Sequence, residues 1–391
     1  MLTTKRILVV FIIALISLSP FASCNSEGGG DVLKIGAVLP LSGDASSYGK
    51  SAQRGINLAI KEINAGGGVM GKKLEPIFED DKAVARDGVN ATQKLINVDK
   101  VPVIIGGIVS AVTLAAAPIC ESNKVVWLSP TSSAPAITNA GEYIFRNFPS
   151  DDLEGKVMAD FLQSKGHKTV AVLQVQNDYG EGIARVFKSN FESTAGSIPV
   201  LEKYKQDESD FRSILTKVVN AKPDAIYYIG YYKDVALAAK QAREAGSKKP
   251  FYATTTVEDP QFVQLGGSAV EGVIYPLASG YDKDSKDDII QKFTTAYKNE
   301  YHEDPGFVEA QAYDCVYLVK QAIESGKGLT GPDIQRGMAQ IKNFPGTTGV
   351  TSFDLNGDVI KQIRLKIVKD GKFTPYEQQS AGAAAAGASG K

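Results

Sequence analysis

From Leu33 onwards, short apolar runs alternate with segments of helical period, and this alternation restricts the fold more than any other feature of the chain. The runs "LKIGAVLPL", "KLEPIFED", "VPVIIGG" and "KVVWLSP" are separated by "SAQRGINLAIKEINA", "ARDGVNATQKLINV" and "TLAAAPICESN". In the first spacer Ala52, Ile56, Ala59, Ile60 and Ile63 recur at intervals of one, three and four, which makes one apolar stripe along a helix. Strands apolar along their whole length, such as "PVIIGG", need cover on both faces, and right-handed crossovers place helices there. The first unit therefore reads as α/β with an open parallel sheet.

The pattern restarts after "FRNFPSDD". Helices "LEGKVMADFLQSKG", "YGEGIARVFKSNFEST", "DFRSILTKVVNA" and "KDVALAAKQAREAG" alternate with strands "TVAVLQVQ", "VLEKYKQ", "AIYYIGYY", "PFYATTT" and "GVIYPLAS", making a second α/β unit of similar size. Two long helices follow, and then "TGVTSFDLNGDVIKQIRLKIVKDGKF", which reads as a hairpin turning at Asn356-Gly357. The expected division is a leader over 1–24, a tether over 25–31, a first lobe from 32–149 and 280–352, a second from 150–279 and 353–378, and a low-complexity tail over 379–391.

The leader has the build of an export signal: Lys5 and Arg6, then the uncharged run "ILVVFIIALISL", then "SPFASC". "FASC" resembles a lipoprotein cleavage box, which makes Cys24 a lipidation candidate, and "NSEGGGD" after it suits a flexible tether. The expected location is the periplasm or the outer face of the cell membrane. Cys120 and Cys315 lie inside amphipathic patterns and read as small buried apolar residues. The formal net charge is −1 and the basic residues are scattered, so no electrostatic footprint for nucleic acid is present.

Catalysis has little to stand on. An activated serine needs a base within hydrogen-bond reach, and the chain has only His167 and His302, both in polar helix ends. There is no G-x-S-x-G elbow, no H-E-x-x-H and no phosphate loop; "GGGVMGKK" follows a helix and lacks the hydroxyl after Gly-Lys. "DLNGD" lacks the acidic spacing of a calcium loop and reads as a turn, and the acids Glu79, Asp80 and Asp81 read as a solvated strand end. No metal, cofactor or enzymatic role is expected.

Binding is better supported. Ser110 follows the strand "VIIGG", and Thr131, Ser132 and Ser133 follow "VVWLSP"; ligands of open parallel sheets sit beyond the carboxyl ends of strands. Hydroxyls beside a helix N-terminus, without a base, describe a carboxylate clamp. The competing reading of each hydroxyl alone is a cap for the next helix. Tyr179, Tyr231 and Tyr232 stand at strand ends of the second unit, and Tyr48 lies in the loop after the first strand. Aromatics there can cover an apolar ligand while their hydroxyls bond its polar head.

The segments "IGAVLPLSGDASSYGKSAQRGINLAIKEINAGGGVMGKKLE", "EDDKA", "SPTSSAPAIT", "DYGEG", "KPDAIYYIGYY" and "YDCVYLVKQAI" resemble the type I periplasmic binding proteins of the leucine/isoleucine/valine branch, over about Val32 to Tyr376. The resemblance implies two Rossmann-like lobes joined by a three-strand hinge. It implies an amino acid or similar small carboxylate captured by lobe closure, and an ABC permease as partner to a monomeric binder. Carried over by position, Ser110, Thr131 and Ser133 would hold the ligand's carboxylate and ammonium, Tyr48, Tyr179 and Tyr231 would line the cleft, and Ile108 and Val109 would face its apolar part. The acid that pairs the ammonium in that branch is replaced by Thr255, with Glu258 the nearest carboxylate. Either Glu258 serves, or the ligand has no ammonium, as in small amides or aromatic acids. A sensing module acting on a receptor partner is the alternative use of the same fold.

Overall fold

A computed structural model describes residues 32–43 and 45–377. Cys24, the leader, the tether and the tail from 379 lie outside the described residues. Parallel pairing of β1 (Val32–Leu39) with β2 (Lys73–Asp80) and β3 (Val103–Gly106), and of β4 (Val126–Ser129) with β3 and β5 (Ile144–Arg146), builds one sheet in the order β2-β1-β3-β4-β5. The intervening helices α1 (Ser46–Ala65), α2 (Ala85–Lys94) and α3 (Ser110–Asn123) cover it. Every residue of β3 and β4 is buried, which is why those strands are apolar throughout.

The second sheet is fed by α4 (Asp151–Ser164), β6 (Thr169–Val175), α5 (Asp178–Glu192), β7 (Ser197–Tyr204), α6 (Arg212–Ala221), β8 (Ala225–Ile229), α7 (Tyr232–Glu244), β9 (Phe251–Ala253), α8 (Pro260–Gly266) and β10 (Ile274–Leu277). The chain then leaves for the first lobe with α9 (Asp288–Tyr301), α10 (Phe307–Gly326), α11 (Gly331–Ala339), β11 (Phe344–Gly346) and β12 (Gly349–Thr351). It returns as β13 (Arg364–Lys369) and β14 (Lys372–Pro375), which add antiparallel to give the order β14-β13-β10-β9-β8-β6-β7. Helix α10 lies along α1 so closely that a Cβ on Gly55 would stand 2.2 Å from the Glu309 carbonyl oxygen. Cys120 and Cys315 are buried and form no disulfide.

The structure departs from the sequence reading in three places. Tyr48 is not in a loop, because α1 begins at Ser46 and carries it on its first turn. Residues 350–369 do not form one hairpin about Asn356-Gly357: β12 pairs with β11, β13 pairs with β10 and β14, and only the isolated bridge Phe353–Val359 flanks the turn. Leu355 and Ile360 are fully or mostly exposed, so that stretch has no continuous apolar face to zip a ladder. Finally, the segment after 352 stays with the first lobe. Phe353 rings against Phe145, the Gly357 carbonyl accepts from Arg146 N–H at 3.0 Å, and Lys361 Nζ bonds Thr348 and Thr351. The chain crosses to the second sheet only between Lys361 and Arg364.

Candidate ligand-binding site

The cleft between the lobes encloses a cavity of about 440 Å³, counted with its mouth. The first lobe lines it with Tyr48, Ile108, Val109, Thr131, Ser133, Phe307 and Val308; the second lines it with Glu154, Tyr179, Tyr231, Thr255 and Thr256, and Phe148 stands at the first crossover. Most of these residues follow β1, β3 and β4 on one side and β6, β8 and β9 on the other, so both sheets present their carboxyl ends to the same space, while Glu154 comes from the start of α4 and Phe307 and Val308 from the start of α10.

The hydroxyls of "LSPTSSAP" divide by task. Ser129 Oγ donates to the Gly107 carbonyl at 2.8 Å and Ser132 Oγ donates to the same oxygen, so these two tie the loop after β4 to the loop after β3. Gly107 sits at φ +67°, and a Cβ there would collide with Thr113 and Trp127. Thr131 Oγ1 donates to the Ile108 carbonyl at 3.0 Å, which leaves its lone pairs for the cavity. Ser133 lines the cavity.

Ser110 does not line it. Its Oγ accepts the Ser133 and Ala134 amides at 3.2 and 3.1 Å, so this buried hydroxyl ties the loop after β4 to the start of α3. Glu258 is also displaced from its expected place. Lys366 Nζ and the Tyr275 hydroxyl both bond its carboxylate on the sheet side, away from the cleft. Thr255 does line the cavity, as the first residue of a 3-10 turn, Thr255–Val257.

The acid in the cavity is Glu154, which the sequence reading passed over. It stands in the first turn of α4, 3% exposed, and accepts from Thr255 N–H at 3.0 Å. Thr255 Oγ1 lies 2.7 Å from Glu154 Oε2 and 2.8 Å from the Pro276 carbonyl. A hydroxyl has one proton for those two acceptors, so a proton on Glu154 satisfies all three groups. Burial, opposed by the two Thr255 hydrogen bonds, pushes the Glu154 carboxyl up to about 7. Asp151, one helical turn earlier and also buried, is raised by burial and by Glu154, with the Ser133 hydroxyl and Arg146 pulling the other way. The available signal was two acids spaced i, i+3 at the start of α4, "SDDLEG", directly after the first crossover.

Aromatic contacts complete the walls. Tyr179 and Tyr231 stack at 5.7 Å between ring centroids, and Asn177 Nδ2 donates to the Tyr231 hydroxyl at 3.2 Å. Tyr48 reaches across the cleft: its hydroxyl donates to the Thr256 carbonyl and its ring meets Tyr232 edge-on at 5.0 Å. Tyr232 therefore packs against Tyr48 across the cleft and is not among the residues that line the cavity. Among the described residues no group of acids, histidines and cysteines is placed to hold a metal ion, and no helix is long and apolar enough to cross a membrane.

Residues 32–372 match the periplasmic binding protein family. The chain belongs to that family. It is 29% identical over 376 residues to the leucine-, isoleucine-, valine-, threonine- and alanine-binding protein of Pseudomonas aeruginosa, covering 96% of each chain. Among solved structures it is similar to a leucine-binding protein from Thermotoga maritima, at 31% identity and TM-score 0.84, over 88% of this chain and 98% of that one. A solute-binding protein from Rhodopseudomonas palustris solved with 3,4-dihydroxybenzoic acid matches at 29% identity and TM-score 0.78, over 88% and 95%. Two lobes with strand-end loops facing a common cleft are thus the shared architecture of periplasmic binding proteins.

Proposed function

We propose that this periplasmic binding protein captures an α-amino acid with an apolar, branched side chain and presents it to an ABC permease outside the cytoplasm, without catalysing a reaction. The observation that carries the reading is Glu154: a buried carboxylate facing the Thr131–Ser133 hydroxyls across a cavity whose other lining is mainly apolar and aromatic. A zwitterion fits that polarity, with its carboxylate accepting from Ser133 Oγ–H and its ammonium donating to Glu154 and to the lone pairs that Thr131 Oγ1 leaves free. Neither Thr255 nor Glu258 supplies the counter-charge. Thr255 orients Glu154, and Glu258 is engaged by Lys366. Ile108, Val109, Phe148, Phe307 and Val308 offer the apolar seat.

A second reading, an aromatic acid, is favoured by the stacked Tyr179–Tyr231 pair. Calorimetry with L-leucine, L-isoleucine, L-valine, 4-hydroxybenzoate and 4-methylpentanoate, which is leucine without its ammonium, separates the two. The amino-acid reading requires leucine to bind at least about 100-fold more tightly than 4-methylpentanoate, the usual scale for a desolvated charge pair. Equal affinities would discard it. Cys24 lipidation belongs to the same proposal and is checked by membrane partition of a Cys24→Ala variant.

A further inference from the structure

The "DLNGD" turn takes no part in ligand contact, yet it is docked with care. Asp354 N–H bonds the Asp358 carbonyl at 2.9 Å, Asp354 Oδ1 accepts the Asn356 and Asp358 amides at 2.8 and 2.9 Å, and Gly357 takes φ +76°. A Cβ on Gly357 would lie 2.4 Å from the Ile144 carbonyl, so the turn rests directly on the edge strand β5. Its product is the position of Asp358. Both carboxylate oxygens of Asp358 meet Arg146, from Nε and Nη2, each at 2.6 Å, and Thr138 Oγ1 donates to Oδ2 at 2.7 Å while accepting from Nη2 at 2.8 Å. The Arg146 side chain is 0% exposed.

What remains of that guanidinium points at the ligand loop. Nη1 donates to the Ser133 carbonyl at 3.0 Å and to the Ala134 carbonyl at 2.9 Å. The amides of the same two residues go to Ser110 Oγ. Residues 133 and 134 are therefore held from two sides, their amides by Ser110 and their carbonyls by Arg146, the Ser133 carbonyl also accepting Asp151 N–H at 2.8 Å and the Ala134 carbonyl Ile137 N–H at 3.1 Å. That leaves the Ser133 side chain facing the cavity.

We infer that Arg146 and Asp358 are positioning residues of the ligand clamp. The "DLNGD" turn supplies the counter-charge that lets a buried guanidinium orient the 133–134 peptides. A buried Arg without its partner is costly, and a planar fork is needed to serve a carboxylate and two carbonyls at once. The role rests on Ser133 being a ligand contact, as proposed above.

The test uses the full-length protein with Asp358→Asn and Arg146→Lys, read by hydrogen–deuterium exchange and by L-leucine calorimetry. In Arg146→Lys the charge stays paired and the fold is retained; exchange at amides 133 and 134 should rise at least about tenfold while β6 and β8 stay protected. The dissociation constant for L-leucine should rise about tenfold in Arg146→Lys and further in Asp358→Asn. A merely structural pair would instead raise exchange across both sheets and leave the folded protein's affinity unchanged, and that result would overturn the inference. If the parent protein binds no L-leucine, the amino-acid reading fails, and the local exchange at 133 and 134 still decides the role of Arg146 and Asp358.

Discussion

The two lobes face one cavity with different chemistry. The first lobe offers neutral hydroxyls and aliphatic side chains on loops whose polar groups are mostly committed: Ser129 and Ser132 to Gly107, Thr131 to Ile108, Ser110 to the Ser133 and Ala134 amides. The second offers a raised, buried carboxyl and two stacked tyrosines. Those bonds fix the loops by contacts made within the first lobe itself. Under the amino-acid reading, the protonatable wall is the part that meets the ligand's ammonium. A ligand must touch both to favour the closed form, since only differential contact shifts that balance.

The comparison can be broken most directly at Glu154. Glu154→Gln should weaken L-leucine binding by about 3 kcal/mol, roughly a hundredfold, and leave 4-methylpentanoate unaffected, by calorimetry. A variant with undiminished leucine affinity would show that the charge is read elsewhere.

Acidity is the next lever. The folded carboxyl at about 7 lies above its ordinary 4.5, so the unfolded chain releases that proton first as pH rises. Ligand-free stability from this group should therefore be present below about pH 4.5 and be lost as pH rises towards 7. Ligand affinity should run the opposite way, falling by up to about tenfold per unit as pH drops below 7, because the ammonium must displace a proton. Thermal melts without ligand and calorimetry with L-leucine between pH 5 and 8 check the two signs.

On the hydroxyl side, Ser133→Ala should cost about 1–2 kcal/mol of binding with the melting temperature retained. Tyr48→Phe removes the bond to the Thr256 carbonyl and should cost about 1 kcal/mol, with small-angle scattering showing a more open ligand-free form. Glu258→Gln should leave affinity unchanged within error. A tenfold loss there would return the counter-charge to the place the sequence suggested.

How much was legible follows from how local each signal is. The alternation of strands and helices was readable because each amphipathic stripe reports its own packing, and the strand-end loops follow from a parallel sheet without further information. Thr131, Ser133, Tyr48, Tyr179, Tyr231, Ile108, Val109 and Thr255 came together on that basis. Glu154 was not legible in the same way. Its approach to Thr255 spans 101 residues, and on its own helix it looks like an ordinary first-turn acid favoured by the helix dipole. Ser110 and Glu258 stand outside the cavity lining for the complementary reason: a hydroxyl or carboxylate at the expected position in the chain can be engaged by a neighbour that only folding supplies.

By itself the sequence determined an α/β chain of two similar units and the loops that would meet. These depend on periodicity and residue type, which act over a few turns. Tertiary structure alone decided which hydroxyls line the cavity, that "DLNGD" sets Asp358 against Arg146 and is no hairpin apex, and which acid lines the cavity. Those outcomes depend on partners 22 to 212 residues away, where the competition for each buried proton is settled by geometry.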